Sequence, residues 1–139
     1  MQAIRRKAKL NKANLPRSFG LFTPTGHVVM GFASDADMTT ARKALLSAGF
    51  RANKIAAFSS SEVVDEIQKM RKSFSKAARL FNEFKMMKEH WALARKGGGF
   101  LVVYAPSKGE TARAVKIAKK FHLKLAHKYN RLTVQRRRF

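Results

Sequence analysis

The chain has 139 residues and carries 30 Lys plus Arg against 8 Asp plus Glu, a net charge of +22; this length suits one domain and leaves little room for a second core. An apolar fraction of 45% is that of a folded chain, not of a wholly disordered basic tail. The lack of Cys excludes disulfide scaffolds, Cys zinc sites and thiol catalysis, and no stretch approaches the roughly 20 apolar residues of a membrane span.

Residues 1–26 read as a basic N-terminal arm and linker. Arg5, Arg6, Lys7, Lys9, Lys12 and Arg17 supply charge, and Pro16, Gly20, Pro24 and Gly26 interrupt regular structure. The first fifteen residues lack the apolar run of a secretory signal. Residues 27–139 read as a single α+β domain. His27 to Ala33 is an apolar, β-branched strand, and Ser34 with Asp37 caps a helix from about Asp35 to Ala48, stopped by Gly49. Its inward face is expected to be Ala41, Ala44, Leu45 and Ala48. Lys54 to Phe58 is a second strand.

Ser59 and Glu62 cap a long helical pattern over about 61–96. Val63, Ile67, Met70, Phe74, Ala77, Phe81 and Phe84 follow one another at intervals of four and three, a heptad seam. Unbroken, that pattern would span about 50 Å; it equally fits two helices parted near Ser73–Ser75 or Asn82. The seam must be buried, either on an open sheet face or against a second copy, so a homodimer through Val63, Ile67, Met70, Phe74, Phe81 and Phe84 is one expectation. Gly97, Gly98 and Gly99 read as a flexible joint. Phe100 to Tyr104 is the strongest strand, Ser107 and Glu110 repeat the capping box, and a helix over Lys108 to Phe121 turns Ala114, Ile117, Ala118 and Phe121 inward. A last strand falls between Leu125 and Val134.

The two halves repeat. The strands at Val28 and Phe100 are offset by 72 residues, and Thr40-Ala41-Arg42 matches Thr111-Ala112-Arg113 at an offset of 71. The order βαβ–helix–βαβ predicts a ferredoxin-like sandwich with a long helical insertion between its halves.

Catalytic signals are poor. Six of the eight carboxylates fall at helix starts, leaving Glu83 and Glu89, and His27, His90, His122 and His127 have no metal-ligand spacing. The glycine run precedes a strand, whereas a phosphate loop follows one. No enzymatic activity, metal or cofactor is expected.

The charge is uneven. Residues 97–139 hold eleven basic side chains and one acidic, and residues 1–26 hold six basic and none acidic. Arg113, Lys116, Lys120 and Lys124 recur at helical spacing on one face. Lys119, Lys128 and Arg131 flank them, and Arg136, Arg137 and Arg138 extend the patch. His127, Tyr129 and Arg131 alternate along a strand and add stacking surface. Such a stripe, with Arg5, Arg6, Lys7, Lys9 and Lys12 of the arm, suits the phosphates of RNA or DNA, read with little sequence specificity. A cytoplasmic protein associated with the nucleoid or with ribonucleoprotein is the expected setting.

Lys96-Gly97-Gly98-Gly99-Phe100-Leu101-Val102-Val103 resembles the RNP1 signature of RNA-recognition motifs, with Gly98 and Val103 standing where that signature has aromatics. The resemblance implies base stacking on Phe100. Residues 27–58, with Thr40 to Phe50 and the return strand Lys54 to Phe58, and again residues 100–134, resemble small bacterial general-stress domains of the YflT type. That resemblance implies stress association, and the alternative to nucleic-acid binding is a stress-associated protein-interaction or oligomerisation module that uses the long amphipathic helix.

Overall fold

The computed structural model describes residues 25–71, 81–129, 134–137 and 139. The predicted arm residues Arg5 to Lys12, together with Phe74, Arg131 and Arg138, lie outside the described residues, as do the side chains of Met70, Phe81 and Phe84. The elements in chain order are β1 (His27–Phe32), α1 (Asp35–Ser47), β2 (Ile55–Phe58), α2 (Ser60–Arg71), α3 (Phe81–Arg95), β3 (Phe100–Tyr104), α4 (Lys108–Ala118), β4 (Leu123–Tyr129) and β5 (Val134–Arg136). Short 3₁₀ turns at Ala52–Lys54 and Lys119–Phe121 precede β2 and β4.

The strands form one sheet in the order β2-β3-β1-β4-β5, every neighbour antiparallel. The central strands β1 and β3 are hydrophobic without alternation because both faces of the sheet are covered. Val28, Met30, Phe32, Leu101 and Val103 point to one face, where Met38, Ala41 and Leu45 of α1 and Ala114, Val115 and Ala118 of α4 meet them. Val29, Phe58, Phe100, Val102, Leu125 and Tyr129 point to the other, under Val63 and Ile67 of α2 and Trp91, Leu93 and Ala94 of α3. Val63 and Ile67, the described part of the apolar seam, are thus buried on the sheet of their own chain. Because α2 and α3 pack against each other as well as on the sheet, they are two helices and not one rod. Val63 and Ile67, each fully buried here, are not free to meet a second copy.

The three Ser caps form where the sequence places them. Ser34 Oγ accepts from Asp37 N at 3.0 Å, and Ser59 and Glu62 bond reciprocally, Ser59 N to Glu62 Oε1 at 2.8 Å and Glu62 N to Ser59 Oγ at 3.2 Å. Ser107 and Glu110 complete a full capping box.

Two expectations change. The C-terminal stretch read as one strand is two, β4 and β5, paired as His127 with Arg136 and Tyr129 with Val134. The glycine run is a packed turn and not a flexible joint. Gly97 N and Gly98 N donate to the carbonyls of Ala94 and Leu93, and Phe32 N donates to Gly99 O at 2.9 Å. A Cβ on Gly98 would meet the Phe32 carbonyl oxygen and lie 2.6 Å from Leu93 Cγ, and one on Gly99 would lie 2.7 Å from Asp35 Oδ1. These glycines let α3 close down on the sheet.

Candidate functional site

Helix α4 turns Thr111, Ala114, Val115 and Ala118 inward, which leaves Arg113 and Lys116 exposed on its outer side. The 3₁₀ turn adds Lys119 and Lys120, both exposed, and ends at His122 in the left-handed region at φ 58°. Gly31 pairs with Leu125 while Phe32 pairs with Leu123, so Lys124 is the extra residue of a β-bulge, and its side chain is exposed. Arg113, Lys116 and Lys120 therefore share the outer side of α4 and the turn that continues it, whereas Lys124 is exposed on a strand bulge, outside the helical spacing that predicts one face for all four. Arg113 is also fixed in place: its guanidinium donates to the Ala48 carbonyl at the end of α1 and lies 4.7 Å from the Phe50 ring centroid.

Helix α1 shares this layer and brings Arg42, half-buried, and Lys43, exposed. The sequence reading overlooked these two because they belong to the near-neutral middle of the chain. The layer as a whole, α1, α4 and the 119–121 turn, holds seven basic and three acidic residues. The described helices of the opposite layer, α2 and α3, hold five of each, and Lys72, Lys76 and Arg79 between them lie outside the described residues. The three carboxylates on the basic layer are engaged at helix starts. Asp35 accepts from Ser60 N at 2.8 Å and Ser60 Oγ at 2.9 Å. Glu110 serves the α4 capping box. Asp37 lies 3.2 Å from His122 Nδ1; the bond with His122, then that with Ser34, hold its carboxyl below the usual carboxylate range, and Lys124 adds to the effect.

Among the described residues, Lys128, His127, Tyr129 and Arg136 of the predicted stripe do not join it. Lys128 is 5% exposed, because β4 is an interior strand and its inward register carries Lys128 under α4. There Nζ donates to Ala105 O at 2.8 Å and Thr111 Oγ1 at 2.5 Å. Burial, with Arg137 nearby, pulls its pKa down. His127 and Tyr129 are buried too and offer no stacking surface, and Phe100 is sealed beneath α3, with the His90 ring edge-on to it at 5.3 Å. Arg136 is exposed but its guanidinium donates to Glu89 Oε2 of α3, on the other layer. Arg137 is half-buried, with its backbone N–H donated to Ala126 O at 2.8 Å.

A buried polar chain runs through the α3 side. Glu89 Oε1 lies 3.2 Å from His127 Nε2, and His127 Nδ1 lies 3.1 Å from His90 Nε2. With a carboxylate facing His127 Nε2, the consistent arrangement puts the proton there and on His90 Nε2, which donates to His127 Nδ1. Burial pushes His90 down to about 3, assisted by His127. Burial also lowers His127, against the pull of Glu89 in the other direction. Among the described residues no three His, Asp or Glu side chains are placed to hold a metal ion, and no helix is long and apolar enough to cross a membrane.

No protein-family model matches this sequence, and neither a curated protein nor a solved structure is significantly similar to it.

Proposed function

We propose that this chain is a non-enzymatic nucleic-acid-binding protein that grips phosphates through the α1–α4 layer, largely without regard to base sequence. The observation that carries the reading is the excess of cations on this layer, seven basic against three acidic residues. With the three carboxylates of the basic layer engaged in capping, Lys43, Lys116, Lys119, Lys120 and Lys124 face solvent as an excess of positive charge, and a polyanion relieves that repulsion by releasing counterions. Arg5, Arg6, Lys7, Lys9, Lys12, Arg131 and Arg138 join the proposal on sequence alone. We read the fold as ferredoxin-like with β5 added, supported by the order β2-β3-β1-β4 and by α1 and α4 on one face. A nucleoid- or ribonucleoprotein-associated place in the cytoplasm fits this reading.

The stress-module alternative needs an exposed apolar surface. It is the weaker reading, because Val63 and Ile67 are spent in the core and Phe139 is the one large hydrophobic side chain exposed among the described residues.

The test is fluorescence anisotropy with a labelled mixed-sequence oligonucleotide. Affinity should fall by orders of magnitude between about 50 and 200 mM salt. The combined change Lys116→Glu, Lys120→Glu and Lys124→Glu, with folding checked by circular dichroism, should abolish binding. Affinity indifferent to salt rejects the proposal.

A further inference from the structure

We infer that the nucleic acid this surface takes is a duplex, not a single strand; the inference rests on the phosphate-binding reading above and goes further by naming the ligand's form. Proteins that hold single strands without sequence preference combine a basic groove with exposed aromatic faces on which successive bases stack. This fold has closed its sheet to that use. Phe100 and Tyr129 lie on the face covered by α2 and α3, with His127 buried beside them.

Among the described residues, three of the aromatic rings nearer the surface are occupied by the chain's own cations, and Phe121, half-buried, packs against the α1–α4 core. Lys54 Nζ stands 4.6 Å from the Tyr104 ring centroid, with His27 tilted against the same ring at 5.0 Å. Arg95 lies 5.5 Å over Trp91, and Arg113 lies 4.7 Å over Phe50. A base seeking any of these faces must first displace a cation. Among the described residues, Phe139 at 48% is the only large hydrophobic side chain that is exposed.

What is left to a ligand is charge. Arg113 and Lys116 on α4 and Lys120 on the 3₁₀ turn that continues it advance over about 11 Å at roughly 1.5 to 2 Å per residue. A duplex presents one phosphate charge per about 1.7 Å of its axis, against about 3.4 Å for each strand taken alone. Each phosphate neutralised on B-DNA also contributes about 0.9 to the salt slope, against about 0.7 on a single strand. A flexible strand must in addition be ordered along the cation row, with no stacking to offset that loss. A surface that offers cations and, among the described residues, no freely exposed aromatic side chain but Phe139 therefore favours the duplex on both counts.

The experiment uses the full chain and four labelled 20-mers of one mixed sequence: single- and double-stranded DNA, and single- and double-stranded RNA, at about 0.1 M salt. Both duplexes should bind at least about tenfold tighter than either single strand, with the steeper salt slope on duplex DNA. A duplex preference confined to RNA or to DNA still supports the inference and identifies the source. Single strands bound as tightly as duplexes, with salt-dependent affinity for both, overturn it while leaving the phosphate-binding reading intact. Failure to bind any of the four overturns both.

Discussion

The Lys128 ammonium donates to the Thr111 hydroxyl oxygen at 2.5 Å, and the single Thr111 O–H is shared between the carbonyls of Ala105 at 2.8 Å and Ser107 at 3.0 Å. One buried lysine thus ties β4 to the turn that leads into α4, the helix that carries Arg113 and Lys116. Its charge serves the fold, and only through the fold does it serve the surface.

Replacing it should separate the two roles. Lys128→Met keeps the aliphatic stem and removes the donor, leaving the Ala105 carbonyl one partner short. Stability should fall by about 1–3 kcal/mol, read from urea unfolding. The salt dependence of nucleic-acid binding should not change, because Lys128 makes no contact with phosphate. A reduced salt slope with unchanged stability would return Lys128 to the binding surface.

The His90–His127 pair predicts a loss of stability in acid. Both are held neutral in the fold by burial, His90 down to about 3. An unfolded histidine takes up its proton near pH 6.5. Below that pH the unfolded chain binds protons that the folded chain refuses, so stability is full above about pH 6.5 and declines toward pH 3 at about 1.4 kcal/mol per pH unit for His90, with His127 adding to the decline in the same direction. His90→Gln retains an N–H for His127 and removes one titrating group. Urea midpoints measured from pH 7 to pH 4 should fall less steeply in that variant than in the parent chain.

Neighbouring glycines should respond for different reasons. Gly97 has φ 97° and no atom within 4 Å of a built Cβ, so Gly97→Ala costs only backbone strain, about 1 kcal/mol. Gly98→Ala drives a methyl into Leu93 and the Phe32 carbonyl and should cost about 1–3 kcal/mol or more, since α3 must lift to admit it. Thermal melts of the two variants give the comparison. Equal, negligible effects would restore the flexible joint.

Much of the frame was legible because local chemistry agreed with it. Ser34, Ser59 and Ser107 each cap a helix, and Gly49 takes the positive φ of 105° that a helix stop favours. Arg113, Lys116 and Lys120 follow helical spacing and are exposed along α4 and its turn, whereas Lys124, four residues on, belongs to the β4 bulge. Strand β4 was harder. Alternation tells which residues share a face, yet with both faces covered it does not tell which face meets water. His127 and Tyr129 were therefore read outward when both are interior. Lys128 was misread for the opposite reason, since a lysine suggests solvent and its partners, Ala105 and Thr111, lie 23 and 17 residues away along the chain. Nothing local to Arg136 announced Glu89, which reaches it from α3, 47 residues earlier.

That last pairing gives the sharpest comparison between two exposed cations. Lys116 projects from the basic layer, whereas the Arg136 guanidinium is bonded to Glu89, which holds its pKa above the ordinary arginine value. If Lys116 contacts a phosphate, Lys116→Gln removes one counterion-releasing contact and should reduce the log–log salt slope by about 0.9 on duplex DNA. The fold should be almost unaffected, as expected for an exposed position. Arg136→Gln instead leaves Glu89 beside His127 without its guanidinium. It should destabilise the β5 edge by less than about 1 kcal/mol, the scale of an exposed ion pair, and leave the slope unchanged. Anisotropy titrations at several salt concentrations give both slopes, and urea curves give both stabilities. Two variants of equal net charge that differ in slope locate binding on the α1–α4 layer, and two that shift the slope equally show that net charge alone, without any patch, attracts the polyanion.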